Sequence, residues 1–148
     1  TGYTFPHIKH DRFKIFSFVY KKHESSTIYE KISLKYLLNK IKDTDDYINA
    51  THIMKITGRY YLSGLENVLD HLDSSTDMFL QIHRIKNFQN SEYLIMKKDL
   101  FVEFIDMIKD KLFENHLYSY SLLHSWKFIK PFYNDVRRGG DKKLINPL

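Results

Sequence analysis

The stretch DDYINATHIMKITGRYY, residues 45–61, decides how the chain is read. It runs from an acidic turn through Tyr47 and Ile48 to Asn49, whose side chain suits the N-cap of a helix. A helix is expected from Asn49 to about Lys55. Thr57 and Gly58 break it, with glycine suited to the left-handed position that ends helices. A second helix is expected from about Tyr61 to Leu72, its Leu62, Leu65, Val68, Leu69 and Leu72 spaced along one buried face. Two helices about a short glycine-containing turn form either a DNA-reading helix-turn-helix or a packed pair with no partner. The rest of the chain has to decide between them.

Upstream, residues 12–21 (RFKIFSFVYK) are rich in large apolar side chains and lack Gly and Pro, which predicts a strand. A polar turn at 23–26 and a returning arm at 27–32 would complete a strand pair. Leu34, Leu37, Leu38 and Ile41 stand at helical spacing, so residues 33–41 are expected to form a short amphipathic helix. Downstream of a loop at 73–77, MFLQIHRI (78–85) and SEYLIMKK (91–98) read as the arms of a β-hairpin bent at residues 86–90. Asp99 is expected to cap a helix carrying Leu100, Phe101, Phe104, Ile105, Ile108 and Leu112. A last helix, about 119–129, would carry Leu122, Leu123 and Trp126 and stop before Pro131. The order predicts one α+β domain over residues 1–148, on a winged helix-turn-helix plan: strand pair, helix-turn-helix, β-hairpin wing and two C-terminal helices. Its core would span about residues 12–132, with a basic tail, flexible unless bound, over 133–148.

The 148 residues are enough to bury a core without staples, and 43% are hydrophobic. The chain has no cysteine, which removes disulfides and Cys-based zinc sites and fits a reducing compartment. No apolar run reaches the roughly 18 residues of a membrane span, so no membrane partner is expected. The formal net charge is +5, which points to an acidic partner such as nucleic acid. That charge is unevenly placed. Between residues 59 and 80, Arg59 faces Glu66, Asp70, Asp73 and Asp77; between 117 and 148, Lys127, Lys130, Arg137, Arg138, Lys142 and Lys143 face only Asp135 and Asp141. Catalysis finds no foothold. The eight His are scattered, the close pair His7 and His10 has no carboxylate or Cys at ligand spacing, and no Ser or Cys sits in a nucleophile motif. Neither an enzymatic activity nor a cofactor or metal is expected.

Asp45, Asp46, Tyr47, Ile48, Asn49, Ala50, Thr51, His52 and Ile53 together resemble the opening of the APSES DNA-binding domain of fungal transcription factors. That opening runs Asp-Asp-aromatic-aliphatic-Asn-Ala-Thr and continues with a His and aliphatic residues. The related KilA-N domains of phages and large DNA viruses share the Asn-Ala-Thr core. A second match, in register, lies at Phe88, Gln89, Asn90, Ser91 and Tyr93, where the family's wing ends in an aromatic-Gln-Gly-Thr-Trp stretch. The resemblance covers about residues 13–132, with residues 33–41 as an insertion. It implies a sequence-specific, double-stranded-DNA-binding winged-helix domain of a nuclear transcription regulator, reading short elements that often contain a CG step. Other regulator proteins would be met through parts of the protein outside this chain. The chain departs from the family in its second helix, which has Arg59 alone where Lys and Arg usually crowd, and in its wing, since no glycine falls between Leu65 and Arg138.

Asn49, Ala50 and Thr51 are expected to hold the fold by capping and packing. The start of the second helix, Arg59, Tyr60, Tyr61 and Ser63, is where recognition helices point at base edges; Arg59 can bridge guanine O6 and N7, and the hydroxyls suit phosphate. Either tyrosine serves equally well as core. His83, Arg84, Lys86, Asn87, Gln89 and Asn90 place cationic and amide donors at the hairpin tip, and Lys127, Lys130, Arg137 and Arg138 would extend a phosphate footprint. The competing reading is a protein-interaction module that keeps the fold without binding DNA; the acidic second helix favours it.

Overall fold

The computed structural model describes residues 14–17, 19, 25–57, 69–70, 72–81 and 87–128, with the backbone alone of Ile129, 136–137 and 144–145. Its elements are α1 (Ser26–Ile41), α2 (Asp45–Asn49), β1 (His52–Ile56), β2 (Met78–Gln81), β3 (Tyr93–Lys97), α3 (Lys98–Met107), α4 (Phe113–Ser121), β4 (Trp126–Ile129), β5 (Val136–Arg137) and β6 (Leu144–Ile145). The chain is α+β, with a four-stranded sheet in the order β1-β3-β2-β4 and a separate ribbon of β5 and β6. β3 runs antiparallel to both neighbours, and β4 runs parallel to β2.

The motif that suggested a helix-turn-helix folds otherwise. Thr44, not Asn49, caps α2, its hydroxyl accepting from the Tyr47 N–H at 3.4 Å. The helix has ended by Ala50, and His52–Ile56 is strand, paired from His52 opposite Lys97 to Ile56 opposite Tyr93. The helix expected from Asn49 to Lys55 is therefore corrected: it ends where that reading starts it. Alternation of Ile53 and Lys55 on one face with His52, Met54 and Ile56 on the other is the period of a sheet. Lys98 closes the C-terminus of α2, donating to the carbonyls of Tyr47 at 3.2 Å and Ile48 at 2.9 Å, where the helix dipole favours a cation.

The N-terminal strand pair is corrected as well. Residues 14–17 and 19 carry no regular structure, and the segment expected to return as a strand lies inside α1. Ser25 caps that helix through the Ile28 N–H at 3.4 Å. Leu34 and Leu38, one turn apart, then pack on the core, so the supposed insertion is the second half of one long helix. Lys31 ties α1 to the end of α3, donating to the carbonyls of Asp106 at 2.9 Å and Ile108 at 2.6 Å. That helix stops at Met107. Asp99 lies in its first turn rather than at the cap, and Leu112, expected on the buried stripe, is 56% exposed. The last helix is shifted too. It spans Phe113–Ser121, and Trp126 begins a strand.

The hairpin expectation holds for β2 and β3, with Met78 opposite Met96 and Leu80 opposite Leu94. Those four side chains face Phe101, Phe104, Ile105, Ile108, Phe113, Leu117 and Tyr120 in the main core. Phe104 sets its ring edge-on to Phe113 at 5.3 Å and tilted against Tyr120 at 5.3 Å. Burial pushes the Tyr120 hydroxyl up to about 12, with Glu103 adding to the shift. Phe79, Tyr93 and Ile95 are buried on the opposite face, with Met54 and Leu72 against them. Both faces of β2 and β3 are thus removed from water, which is why their sequences read as nearly continuous apolar runs.

One side chain in this core is charged. Lys55 points from β1 into the main core with its side chain 7% exposed. Its ammonium meets Glu30 Oε1 of α1 at 2.7 Å, donates to the Ser91 carbonyl at 2.9 Å and to Thr57 Oγ1 at 3.3 Å, and lies 4.6 Å from the centre of the Phe113 ring. Desolvating an ammonium costs several kcal/mol unless charge and hydrogen bonds compensate, so this cluster holds α1, β1, α4 and the loop before β3 to one geometry. Lys55→Met is expected to lower unfolding stability by about 3 kcal/mol, because Glu30 loses its partner but is exposed enough to recover some hydration. Lys55→Met with Glu30→Leu should recover most of that loss. Urea unfolding of both variants checks the pair; a single mutant as stable as the parent would show that the cluster holds nothing.

Candidate nucleic-acid interface

The segment between β2 and β3 carries most of the residues expected in a wing. Asn87 is exposed with φ at 64°, a left-handed conformation that asparagine tolerates better than most residues. Gln89 behaves differently. It is 1% exposed, and its amide donates to the Gln81 carbonyl and, at 3.3 Å, to the Asn90 carbonyl. Its backbone N–H donates to the Glu114 carbonyl at 3.3 Å, and Ser91 Oγ donates to Glu114 Oε1 at 2.8 Å. Gln89 is thus a strut fixing the hairpin to α4. The expectation that it reads a base from the tip is not met by a side chain so enclosed. Asn90 is half-buried beside it.

Of the other expected contacts, Arg59, Tyr60, Tyr61, Ser63, His83, Arg84, Lys86, Lys130 and Arg138 lie outside the described residues. Lys127 is exposed, and its ammonium meets Asp73 Oδ2 at 2.7 Å. That contact, together with bonds from Ser75, holds the Asp73 carboxyl well below the usual range. Arg137 belongs to β5, which pairs antiparallel with β6, Val136 opposite Ile145 and Arg137 opposite Leu144. At those four positions the tail expected to be flexible is paired strand, and residues 138–143 lie outside the described residues.

A second set of contacts escapes any reading of motifs. Asp77, at the entry to β2, accepts from Lys97 Nζ at 2.8 Å through Oδ1 and from the Ser125 N–H at 3.0 Å through Oδ2. Its own N–H donates to Ser125 Oγ at 3.0 Å, and the Met78 N–H donates to the Ser125 carbonyl at 3.1 Å. This latch sets the parallel register of β4 on β2, Met78 opposite Trp126 and Leu80 opposite Phe128. Trp126 and Phe128, at the margin of the sheet, are 40% and 45% exposed, with ring centres 4.7 Å apart. Leu122 and Leu123, in the turn after α4, are 63% and 73% exposed. Placing Leu122, Leu123 and Trp126 on a buried helix stripe is corrected accordingly.

Among the described residues, no three His, Asp or Glu side chains are grouped to hold a metal ion, and no helix is long and apolar enough to cross a membrane. The arrangement is α+β, with a short C-terminal strand pair and an aromatic pair at the edge of the four-stranded sheet. No protein-family model matches the chain, and no curated protein or solved structure matches it.

The latch has a titration signature. The Lys97 hydrogen bond, followed by those from Ser125, lowers the Asp77 carboxyl from 3.8 to about 2. A folded-state value below the unfolded one adds stability that is complete above the unfolded value and is lost as pH falls through the folded one. Asp77→Asn should therefore unfold at lower urea than the parent near neutral pH, and the gap should narrow between about pH 4 and pH 2. Paired urea titrations across that range check it; a gap independent of pH would remove the carboxylate from the account.

Proposed function

We propose that the chain is a sequence-specific, double-stranded-DNA-binding domain of a nuclear transcription regulator. The observation that carries this reading is the pairing of β5 with β6. The sequence from the first paired residues to the second carries Arg137, Arg138, Lys142 and Lys143 against Asp141 alone. An antiparallel ribbon fits a DNA groove, and clustered cations neutralise backbone phosphates. The resemblance at Asp45–Ile53 supports the same class, although those residues serve the fold: Thr44 and Lys98 close the two ends of α2, and β1 follows. On this reading the DNA-facing surface comprises the expected helix from Tyr61, with Arg59 before it, together with His83, Arg84, Lys86 and Asn87. The cations between residues 137 and 143 supply phosphate affinity that the acidic stretch from Glu66 to Asp77 lacks, and the target is a short element of the CG-containing kind.

The burial of Gln89 favours a second reading, a protein-interaction module without DNA binding, since a wing whose glutamine braces the fold has one base-reading side chain fewer. Selection from a random duplex pool separates the two. The DNA reading expects one short motif to be enriched and the enrichment to vanish with Arg59→Ala. It also expects the slope of log affinity against log salt to become shallower by about 2 with Arg137→Ala and Arg138→Ala together, roughly 0.9 for each phosphate no longer neutralised. Absence of duplex binding even at low salt would leave the protein-interaction module.

A further inference from the structure

We propose that His116 is a proton-sensitive latch. It closes the turn between α3 and α4 while its imidazole is neutral; protonation releases that turn and the segment between β2 and β3 that is tied to α4. Residues 108–112 make the turn, and its two sides are held by different groups. On one side Lys31 of α1 donates to the carbonyls of Asp106 at 2.9 Å and Ile108 at 2.6 Å. On the other, His116 Nε2 accepts the Lys109 N–H at 3.2 Å, seven residues away in the chain. A ring nitrogen accepts only while it carries no proton, so the closed turn requires the neutral imidazole with its proton on Nδ1. His116 also lies in the first turn of α4, where its own N–H donates to the Leu112 carbonyl at 3.2 Å and Leu112 offers no side-chain cap. An imidazolium there would meet the positive end of the helix dipole.

The surroundings of the ring act the same way. Burial holds the half-buried imidazole below its ordinary value of 6.5, and three cations, Lys111 and Lys109 from the turn and Lys31 from α1, push in the same direction. The carboxylates that would offset them are engaged elsewhere or lie in water. Glu30 of α1 pairs with Lys55, Asp106 of α3 with Lys35, Glu114 of α4 accepts from Ser91 Oγ at 2.8 Å, and Asp110 in the turn is exposed. A folded-state value below the unfolded one makes the latch's contribution complete above 6.5; it is lost as pH falls past 6.5 and through the folded value. Release travels through Glu114, two residues before His116. Its carbonyl accepts the Gln89 N–H at 3.3 Å and its carboxylate holds Ser91, so the base of the segment between β2 and β3 rests on the same helical turn. This holds whatever the domain binds.

Amide hydrogen exchange of the intact chain, read residue by residue by NMR and corrected for the intrinsic rate, tests the latch at about pH 7.5 and about pH 5, on either side of the ordinary histidine value. The Lys109 amide should be protected at the higher pH and lose that protection several-fold at the lower. The Gln89 amide should follow it, while the amides of β3 stay protected. His116→Gln, which keeps an acceptor that does not titrate, should leave Lys109 and Gln89 protected at both pH values. Long-range proton–nitrogen spectra of the parent should show Nε2 unprotonated at the higher pH and the ring titrating below 6.5. That titration is read on the parent chain, so it decides even where a variant fails to fold. Lys109 protection unchanged between the two pH values, an equal loss in His116→Gln, or a ring titrating at or above 6.5 would overturn the latch. Loss at Lys109 with Gln89 unmoved would overturn its transmission to the segment between β2 and β3.

Discussion

A single buried ammonium sets the geometry on which the rest of this fold depends. Lys55 stands where an apolar side chain would be ordinary, on the core face of β1, and it satisfies its charge with Glu30, Ser91, Thr57 and the face of Phe113. These partners come from α1, the turn into β3, the end of β1 and α4. None of them can shift far without stranding a charge in a medium where doing so is costly. The neighbouring Ser91–Glu114 bond and the Gln89 strut continue the same seam. The loop between β2 and β3 is thereby fixed at its base, and Asn87 stays exposed above it. A polar seam of this kind specifies one arrangement of helices around the sheet, where apolar contacts alone tolerate several.

The second constraint acts at the opposite side of the sheet. A parallel strand pair needs a long connection, and here β3, α3 and α4 all intervene between β2 and β4. The Asp77–Ser125 latch closes that crossover at its entry with three hydrogen bonds between the two residues and their neighbours. Because Lys97 joins the same carboxylate, β3 is registered by the group that registers β4. The consequence for function is positional. β4 is carried to the margin of the sheet, where Trp126 and Phe128 share the face of Met78 and Leu80 and are each partly exposed. In the sequence, the aromatic residues of β4 and the cations Lys130, Arg137, Arg138, Lys142 and Lys143 follow one another within about twenty residues, a count that runs from Trp126 to Ile145.

Elements whose local pattern agrees with their tertiary setting are legible from residues alone. Met78–Gln81 and Tyr93–Lys97 carry β-favouring side chains on both faces, and the stripe of Phe101, Phe104, Ile105 and Ile108 has a helical period, so each reads as the element it forms. Asn49-Ala50-Thr51 misleads because its capping chemistry fits a helix start, while Thr44 has already supplied the cap one turn earlier. Thr27–Ile32 carries β-branched residues, yet Ser25 and the contacts of Glu30, Lys31, Leu34 and Leu38 draw it into helix, a tertiary override of weak propensity. Trp126 and Phe128 fit a helix stripe and a strand edge equally well by spacing, and only the pairing with β2 separates the two. At the candidate site, position is legible but direction is not. Gln89 does fall in the hairpin loop, and nothing in its neighbours announces that it turns inward. Asp77 and Ser125 stand 48 residues apart, beyond the reach of any local pattern.

On the proposed function, the cations between residues 137 and 143, rather than those embedded in the fold, meet the DNA backbone. Lys31, Lys55 and Lys98 are committed to carbonyls and a carboxylate inside the domain, so they are internal controls for Lys142 and Lys143. Lysine acylation footprinting of the chain with and without duplex, read by mass spectrometry, compares all of them in one experiment. Duplex is expected to protect Lys142 and Lys143 while the reactivity of Lys31, Lys55 and Lys98 stays unchanged. Bound duplex that leaves Lys142 and Lys143 as reactive as in the free chain would contradict it.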